Sequence, residues 1–278
     1  MERAVIRRKA TEHDGEARDG GVQSVDRALH IIETLAEDDE GYRLSDLAVR
    51  TGLSTSTAHR LLTTLEKRRF VQFDRTESKW HVGAQSFAVG ATFTRRRNFV
   101  AQAMPYLRKL RDQTRETANL AVVDDESIIV LTRIESREIM RSLTKVGGRV
   151  AMVASGVGKA VLATYPDEDV SAIIRRHGMP RLTEKSIIRA SDLFRELAAV
   201  RRQGYAVDDE EARMGLRCVA AVVFNDCSEP LAAISVSGMT SRVTEERLPE
   251  IGKAVREVAT ELTAAIGGVM PPSTAKTA

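Results

Sequence analysis

Cysteine is scarce in this chain: two residues in 278, Cys218 and Cys227, too few and wrongly spaced for a CxxC metal or redox pair, so reduced thiols are expected. Long apolar runs are missing too. None approaches the roughly 18 residues of a membrane helix, and the charged stretch 1–20 lacks the apolar core of a signal peptide, which predicts a cytoplasmic protein with no membrane partner. Charge of one sign is not in excess: 42 Lys+Arg stand against 39 Asp+Glu, a balance that does not by itself establish a nucleic-acid partner, so distribution has to decide. The five histidines, His13, His30, His59, His81 and His177, have no metal-ligand spacing, and no metal or cofactor is expected.

What is present is enough apolar residue, 42%, for about two domains with separate cores. Residues 1–21 are polar and without apolar period, which predicts a disordered tail. From Ser24, placed to cap, Val25, Ala28, Leu29, Ile32, Leu35 and Ala36 recur at the spacing of a one-sided helix that Gly41 ends. A short helix over 45–51 buries Leu47 and Ala48, with Gly52 in a left-handed turn and Leu53 as anchor. Then Ser54 offers an N-cap to a helix with Ala58, Leu61, Leu62 and Leu65 on one face and Thr55, Ser56, His59, Arg60 and Thr63 on the other. Two helices about a glycine turn make a helix-turn-helix.

Residues 70–73 and 79–82 flank a polar stretch and read as a hairpin directly after that unit, a wing. The winged helix-turn-helix is therefore placed at 22–83. A linker helix over 84–97, with Phe87, Ala88 and Ala91 on one side, ends in the solvated run Arg95–Arg97. Beyond it, 98–267 mixes helices (through Met104, Leu107 and Leu110; 160–162; 191–202; 250–265) with strands (120–123, 128–133, and the pair 219–225 and 231–237), an α+β domain followed by a flexible tail, 268–278.

A recognition helix needs small or hydrogen-bonding side chains in the turn that enters the major groove. Ser54, Thr55, Ser56 and Thr57 with Arg60 meet that need, and His59 lies beside them. Arg60 fits a guanine or a phosphate equally. The hairpin cations Arg75 and Lys79 suit the DNA backbone or minor groove. An ordinary three-helix bundle with a solvated polar face is the competing reading, and the exposed basic hairpin is what counts against it. Lys67, Arg68 and Arg69 equally suit a helix C-terminus.

An enzyme is the competing class. GVGK at 156–159 fails the phosphate loop GxxxxGK[ST], having Val153 for the first glycine and Ala160 for the hydroxyl. ISVSG fails GxSxG, because Ser235 stands at the first glycine. Cys218 has no histidine near in sequence, though His177 is a candidate to approach in space.

QSVDRALHIIETLAE, LSDLAVRTGLSTSTAHRLLTTLEKRRFVQ and WHVGAQSFAVG resemble the isocitrate lyase regulator (IclR) family of transcription regulators. So do MRSLTKVGGRVAMVASGVGKAVLA, GYAVDDEEARMGLRCVAAVVF and PLAAISVSGMTSRVT, in order, over about residues 22–267, with the glyoxylate-responsive members as the nearest likeness. The resemblance implies binding of double-stranded operator DNA, a profilin- or GAF-like effector domain with an antiparallel sheet, and a homodimer or dimer of dimers paired through the DNA-binding half. It implies a small carboxylate effector, glyoxylate or another 2-oxo acid, at Gly156, Val157, Asp208, Cys218, Ser235 and Ser237, with an apolar patch at Ile139, Ser142, Val150 and Leu216. Two positions depart from the family pattern: Ser142 is polar where methionine is usual, and Val157 replaces alanine. From the residues alone, Cys218 equally fits plain core, Asp208 a local cap, and Ser235 and Ser237 strand alternation.

Overall fold

The computed structural model describes residues 22–96, 99–124, 126–136 and 145–271, with the side chains of 94–96 excepted. The expected tail 1–21, most of the tail 268–278, and the candidates Ile139 and Ser142 lie outside them. The chain divides into two compact units at Arg95/Arg96.

The first unit holds α1 (Gln23–Ala36), α2 (Leu44–Arg50), α3 (Thr55–Lys67), the hairpin β1 (Val71–Asp74) and β2 (Lys79–Val82), and α4 (Ala84–Arg96). Its core is Ile31, Leu35, Tyr42, Leu47, Leu62, Val71 and Trp80. The turn after α2 closes as a Schellman motif: Leu53 N–H donates to Ala48 O at 2.9 Å, Gly52 N–H to Val49 O at 3.3 Å, and Gly52 has the positive φ of 65° that an L side chain resists. The wing is tied back by Tyr42, which exchanges both backbone bonds with Trp80 at 3.1 and 2.8 Å. Gly41 makes that approach possible, since a Cβ there would stand 2.6 Å from Trp80 O.

Three expectations for this unit are corrected. Gly41 does not end α1, which stops at Ala36. Ser24 does not cap it; Val22 is the N-cap residue and supplies no side-chain bond. The apolar stripe of α1 is buried only in its last turns, at Ile31 and Leu35, while Val25 and Leu29 are exposed, and Phe87 on α4 is 80% exposed. These faces have the composition of packed faces, exposed among the described residues.

The second unit runs α5 (Phe99–Thr114), β3 (Thr117–Asp124), β4 (Ser127–Ile134), β5 (Arg149–Ala151), α6 (Gly156–Leu162), α7 (Asp167–His177), α8 (Ala190–Gln203), β6 (Ala206–Asp209), β7 (Leu216–Phe224), β8 (Pro230–Met239) and α9 (Leu248–Ala265). The strands form one sheet in the order β5-β4-β3-β8-β7-β6, antiparallel at every pairing. Alternation sorts β7: Val219, Ala221 and Val223 pack with α5 and α9, whereas Ala220, Val222 and Phe224 pack with α6, α7 and α8. The fold is mixed helix and sheet, as expected, with helices on both faces. β5, β6 and α7 were not foreseen.

α6 lies deepest; all seven of its residues are buried. A Cβ on Gly158 would stand 2.1 Å from Met152 O, so α6 packs against the 149–155 segment at backbone contact distance. Gly158→Ala therefore forces the helix outward and should destabilise the second unit by about 1–3 kcal/mol, as overpacking does. The single tryptophan, Trp80, belongs to the first unit. In denaturant, far-UV circular dichroism should show a weakened transition while the Trp80 fluorescence transition stays put; equal shifts of both signals, or of neither, would contradict this packing.

Candidate functional site

Two surfaces carry the residues of interest, one in each unit. On α3, Ser54 is the N-cap: its Oγ accepts from Thr57 N–H at 3.2 Å and lies 3.0 Å from Ser56 Oγ and 2.8 Å from Thr57 Oγ1. Ser54 is thus engaged in holding the first turn. Thr55, Ser56, His59 and Arg60 are exposed and Thr57 half-buried, while Ala58 and Leu62 face the core. Thr63 and Thr64 turn their hydroxyls onto the His59 and Arg60 carbonyls at 2.8 and 2.9 Å, which leaves Arg60 as the long donor of this face. In the wing, Asp74 Oδ1 accepts from Thr76 and Glu77 N–H at 2.7 and 3.2 Å; those bonds hold its carboxyl below the usual range and shape the turn that exposes Arg75. Lys79 is engaged, with Glu77 at 3.2 Å and Glu40 at 3.9 Å.

In the second unit a pocket of about 290 Å³ opens between the start of α6 and the sheet. Register builds its floor: Asp208 on β6 faces Cys218 on β7, which faces Ser237 on β8, and Ser235 faces Asn119 on β3. Asn119 Nδ2 donates to both Ser235 Oγ and Ser237 Oγ at 3.3 Å. The serine protons are then free to turn toward the Cys218 sulfur or a ligand. Gly156 crosses close above, where a Cβ would stand 2.9 Å from Cys218 O. Ser155 Oγ caps α6 by accepting from Gly158 N–H at 3.1 Å, and the Gly156 and Val157 amides are first-turn donors with no intrahelical acceptor. Val150, Val157 and Leu216 also line the pocket. Of the ten candidates, Ile139 and Ser142 alone are not placed.

Burial, opposed by the Glu211 and Ala212 N–H groups and then by Lys159, raises the Asp208 carboxyl above its ordinary value. Burial first, then the Asp208 charge, pushes the Cys218 thiol up to about 11. A thiol held protonated is the reverse of an activated nucleophile. Behind the floor, Lys159 is fully buried, its Nζ bonded to Glu196 Oε1 at 3.2 Å and to Glu211 Oε1. Glu211 Oε2 is buried without a partner, and burial raises that carboxyl despite Lys159.

Sequence reasoning passed over Asn119, Ser155, Lys159 and Arg213. Asn119 left a signal, as an amide in the otherwise apolar run of β3. Lys159 was read only as a failed phosphate-loop lysine, because nothing local shows that it is buried against carboxylates 37 and 52 residues away. Arg213 lines the pocket and has no ion-pair partner among the described residues; its loop position gives no periodic cue.

Residues 24–75 match the model of the IclR helix-turn-helix domain, and residues 91–264 that of the bacterial transcriptional regulator IclR C-terminal domain. The chain is 41% identical over 251 residues to the acetate operon repressor of Salmonella typhimurium, covering 90% of this chain and 92% of that one. It is 40% identical over 252 residues to the transcriptional repressor IclR of Escherichia coli, with the same coverage. Among solved structures, the IclR transcriptional regulator of Alicyclobacillus acidocaldarius matches with a TM-score of 0.75 at 27% identity, covering 89% of this chain and all of that one.

The Lys159 cluster generates a stability test. Lys159→Met leaves Glu211 buried without its cation and should cost about 3–5 kcal/mol; adding Glu211→Met should return most of it. Because an uncompensated buried carboxylate has a raised pKa in the folded state, the single-variant deficit should shrink as pH falls through that pKa. Denaturant titrations at several pH values read both effects, and a single variant as stable as the parent would remove the pair from the fold's support.

Proposed function

The chain belongs to the IclR family of transcription regulators, and from that premise we propose that it binds a two-fold operator as a homodimer or dimer of dimers and releases or tightens its grip when a small 2-oxo acid occupies the pocket. The relatives are transcriptional repressors; the protein is a DNA-binding regulator, not an enzyme.

The observation that carries the effector reading is the pocket's size and donor set. At about 290 Å³ it suits a two- or three-carbon acid, glyoxylate before pyruvate, which has little area to bury and must be held by hydrogen bonds. Its carboxylate meets the Gly156 and Val157 amides and Arg213, and its carbonyl meets the Ser235 and Ser237 hydroxyls that Asn119 orients. Val150 and Leu216 close the apolar side. The likeness to an acetate operon repressor supports an effector from two-carbon metabolism. Asp208 shapes the site through its bonds to Glu211 and Ala212 N–H, at 2.8 and 3.3 Å, more than by touching an anion.

On the DNA side, Thr55, Ser56, Thr57, His59 and Arg60 face the major groove with Ser54 fixing the turn, and Arg75 and Lys79 meet the backbone beside it. Lys79 must leave Glu77 to do so, which makes Arg75 the stronger wing contact.

Arg60→Ala should weaken specific operator binding by about 1–3 kcal/mol, whereas Arg75→Ala should chiefly lower the salt slope. Fluorescence anisotropy at graded salt separates them, and a triple Arg60, Arg75, Lys79 to alanine variant with parental affinity would remove this surface. Glyoxylate, titrated by calorimetry, should bind more tightly as pH falls toward the raised Asp208 pKa, since protonation removes a like charge. Asp208→Asn should tighten binding at neutral pH by about 1 kcal/mol and flatten that pH dependence. Parental pH dependence in Asp208→Asn would exclude the charge argument, and no heat with glyoxylate or pyruvate would end the effector assignment.

A further inference from the structure

The second unit holds a larger cavity than the effector pocket. It is a slot of about 540 Å³ at the far end of α6, lined by Ala160 and Ala163, by the end of α8, by β7 from Ala221 to Phe224, and by one face of α9. It exists because β6 is short. Even-numbered residues of β7 aim their main-chain groups toward β6: Leu216 O accepts from Glu210 N–H at 3.0 Å, and Cys218 and Ala220 pair with Asp208 and Ala206. Past Ala206 the partner strand has ended. Phe224 N–H is rescued by Thr263 Oγ1 at 3.2 Å. Val222, between them, is only 7% exposed, and by this alternation its N–H and C=O point to the edge that β6 leaves open. An amide on an unpaired strand edge at the wall of a cavity is a ready hydrogen-bond donor for a ligand.

The slot's walls are apolar, at Val200, Phe224, Ala259 and Met270, and no carboxylate among the described residues lines it. Two arginines stand at its rim. Arg201 is spent, donating to the Ala163 and Tyr165 carbonyls and to Asp167. Arg256 is not: only its Nη1 is used, on Gln203 O at 3.1 Å, it has no carboxylate partner among the described residues, and Nε and Nη2 remain. Gly204 lets its stem lie over the opening, where a Cβ would stand 2.7 Å from Arg256 Cδ.

We infer that this slot is a second ligand site, for a monocarboxylate with a slender apolar body, whose head pairs with Arg256 and bonds the Val222 amide while its body lies between β7, α6 and α9. The volume falls within the range of metabolite sites, and a fork of guanidinium donors at an apolar mouth selects a carboxylate over a neutral analogue. An added strand is a poorer occupant, because one residue of open edge gives a peptide two bonds and no continuation. The site shares α6 with the effector pocket but none of its lining residues, so the two fail independently.

Octanoate is the probe, with octan-1-ol as the uncharged control, titrated by calorimetry into the full-length protein. Octanoate should bind saturably and more tightly than octan-1-ol. Arg256→Gln, a change at an exposed position, should weaken it about tenfold or more, and Thr260→Trp, plugging the exposed rim, should abolish it. Ser235→Ala with Ser237→Ala should leave it unchanged. Amide exchange at Val222 should slow at saturating octanoate while that of the already paired Ala220 does not. No saturable binding at millimolar octanoate overturns the proposal, as does binding indifferent to Arg256→Gln, binding lost in the serine double variant, or a Val222 amide whose exchange does not change.

Discussion

The second unit depends on one close approach. The start of α6 is pressed close on both sides, because Gly156 passes over Cys218 O on β7 and Gly158 passes Met152 O in the segment before the helix, each at a distance that a Cβ would violate. A helix packed through side chains stands about 8–10 Å from its neighbour. Here the first turn of α6 sits over Cys218 instead, and a pocket of about 290 Å³ remains beside it on the sheet. The same approach drives Lys159 to zero exposure, which is tolerable only because Glu196 and Glu211 meet it.

The charge cluster in turn fixes the loop that walls the pocket. Glu211 is held by Lys159 through its side chain, by Asp208 through its N–H, and through its carbonyl by Ser186 Oγ at 2.8 Å and Thr183 Oγ1 at 3.2 Å. Arg213, Leu216 and Arg217 follow within a few residues, and Arg217 is itself anchored on Asp209 and on Val243 O. A ligand drawn to Arg213 therefore pulls on a segment tied to the middle of α6. Two arrangements of that segment would give a ligand something to choose between, the requirement for any effector to shift DNA affinity.

How much of this was legible follows the range of the cause. The α2 turn, the Ser54 cap and the long strands β7 and β8 were readable because their causes lie within a few residues: a positive-φ glycine, a hydroxyl three positions before the N–H it accepts from, and two apolar runs either side of a polar turn. β5 has three residues and β6 four, too short for a period to declare itself, and both depend on the neighbouring strand for their shape. α7 opens with Asp167, Glu168 and Asp169 and ends with Arg175, Arg176 and His177, a charge order that suits the helix dipole but leaves few apolar residues to carry a period. The pocket candidates came by resemblance rather than by physics: nothing in the spacing of Asp208, Cys218 and Ser237 reveals that three strands set them side by side. Lys159 and Arg213 were missed for the same reason, their meaning being set by residues distant in sequence.

The miscast faces of the first unit teach the opposite lesson. Val25 and Leu29 follow helical spacing on α1 and are 55 and 54% exposed, and on α4 Phe87 and Val89 are 80 and 50% exposed. The stripe expected on α1, Val25, Ala28, Leu29, Ile32, Leu35 and Ala36, shares only Leu35 with the buried residues Ile31, Thr34 and Leu35, so most of it turns outward. Helix propensity alone does not favour these residues at surface positions, and contiguous exposed apolar area is uncommon on monomers. The core of this unit is already complete without them, since Ile31, Leu35, Leu47 and Leu62 are each no more than 2% exposed. The proposed two-fold pairing gives these faces a use. One recognition helix reads too few base pairs for selective binding, and the second copy that supplies another reading head also brings a second set of apolar faces. On the proposed pairing, the apolar pattern of α1 and α4 would belong to the assembly rather than to one chain's core.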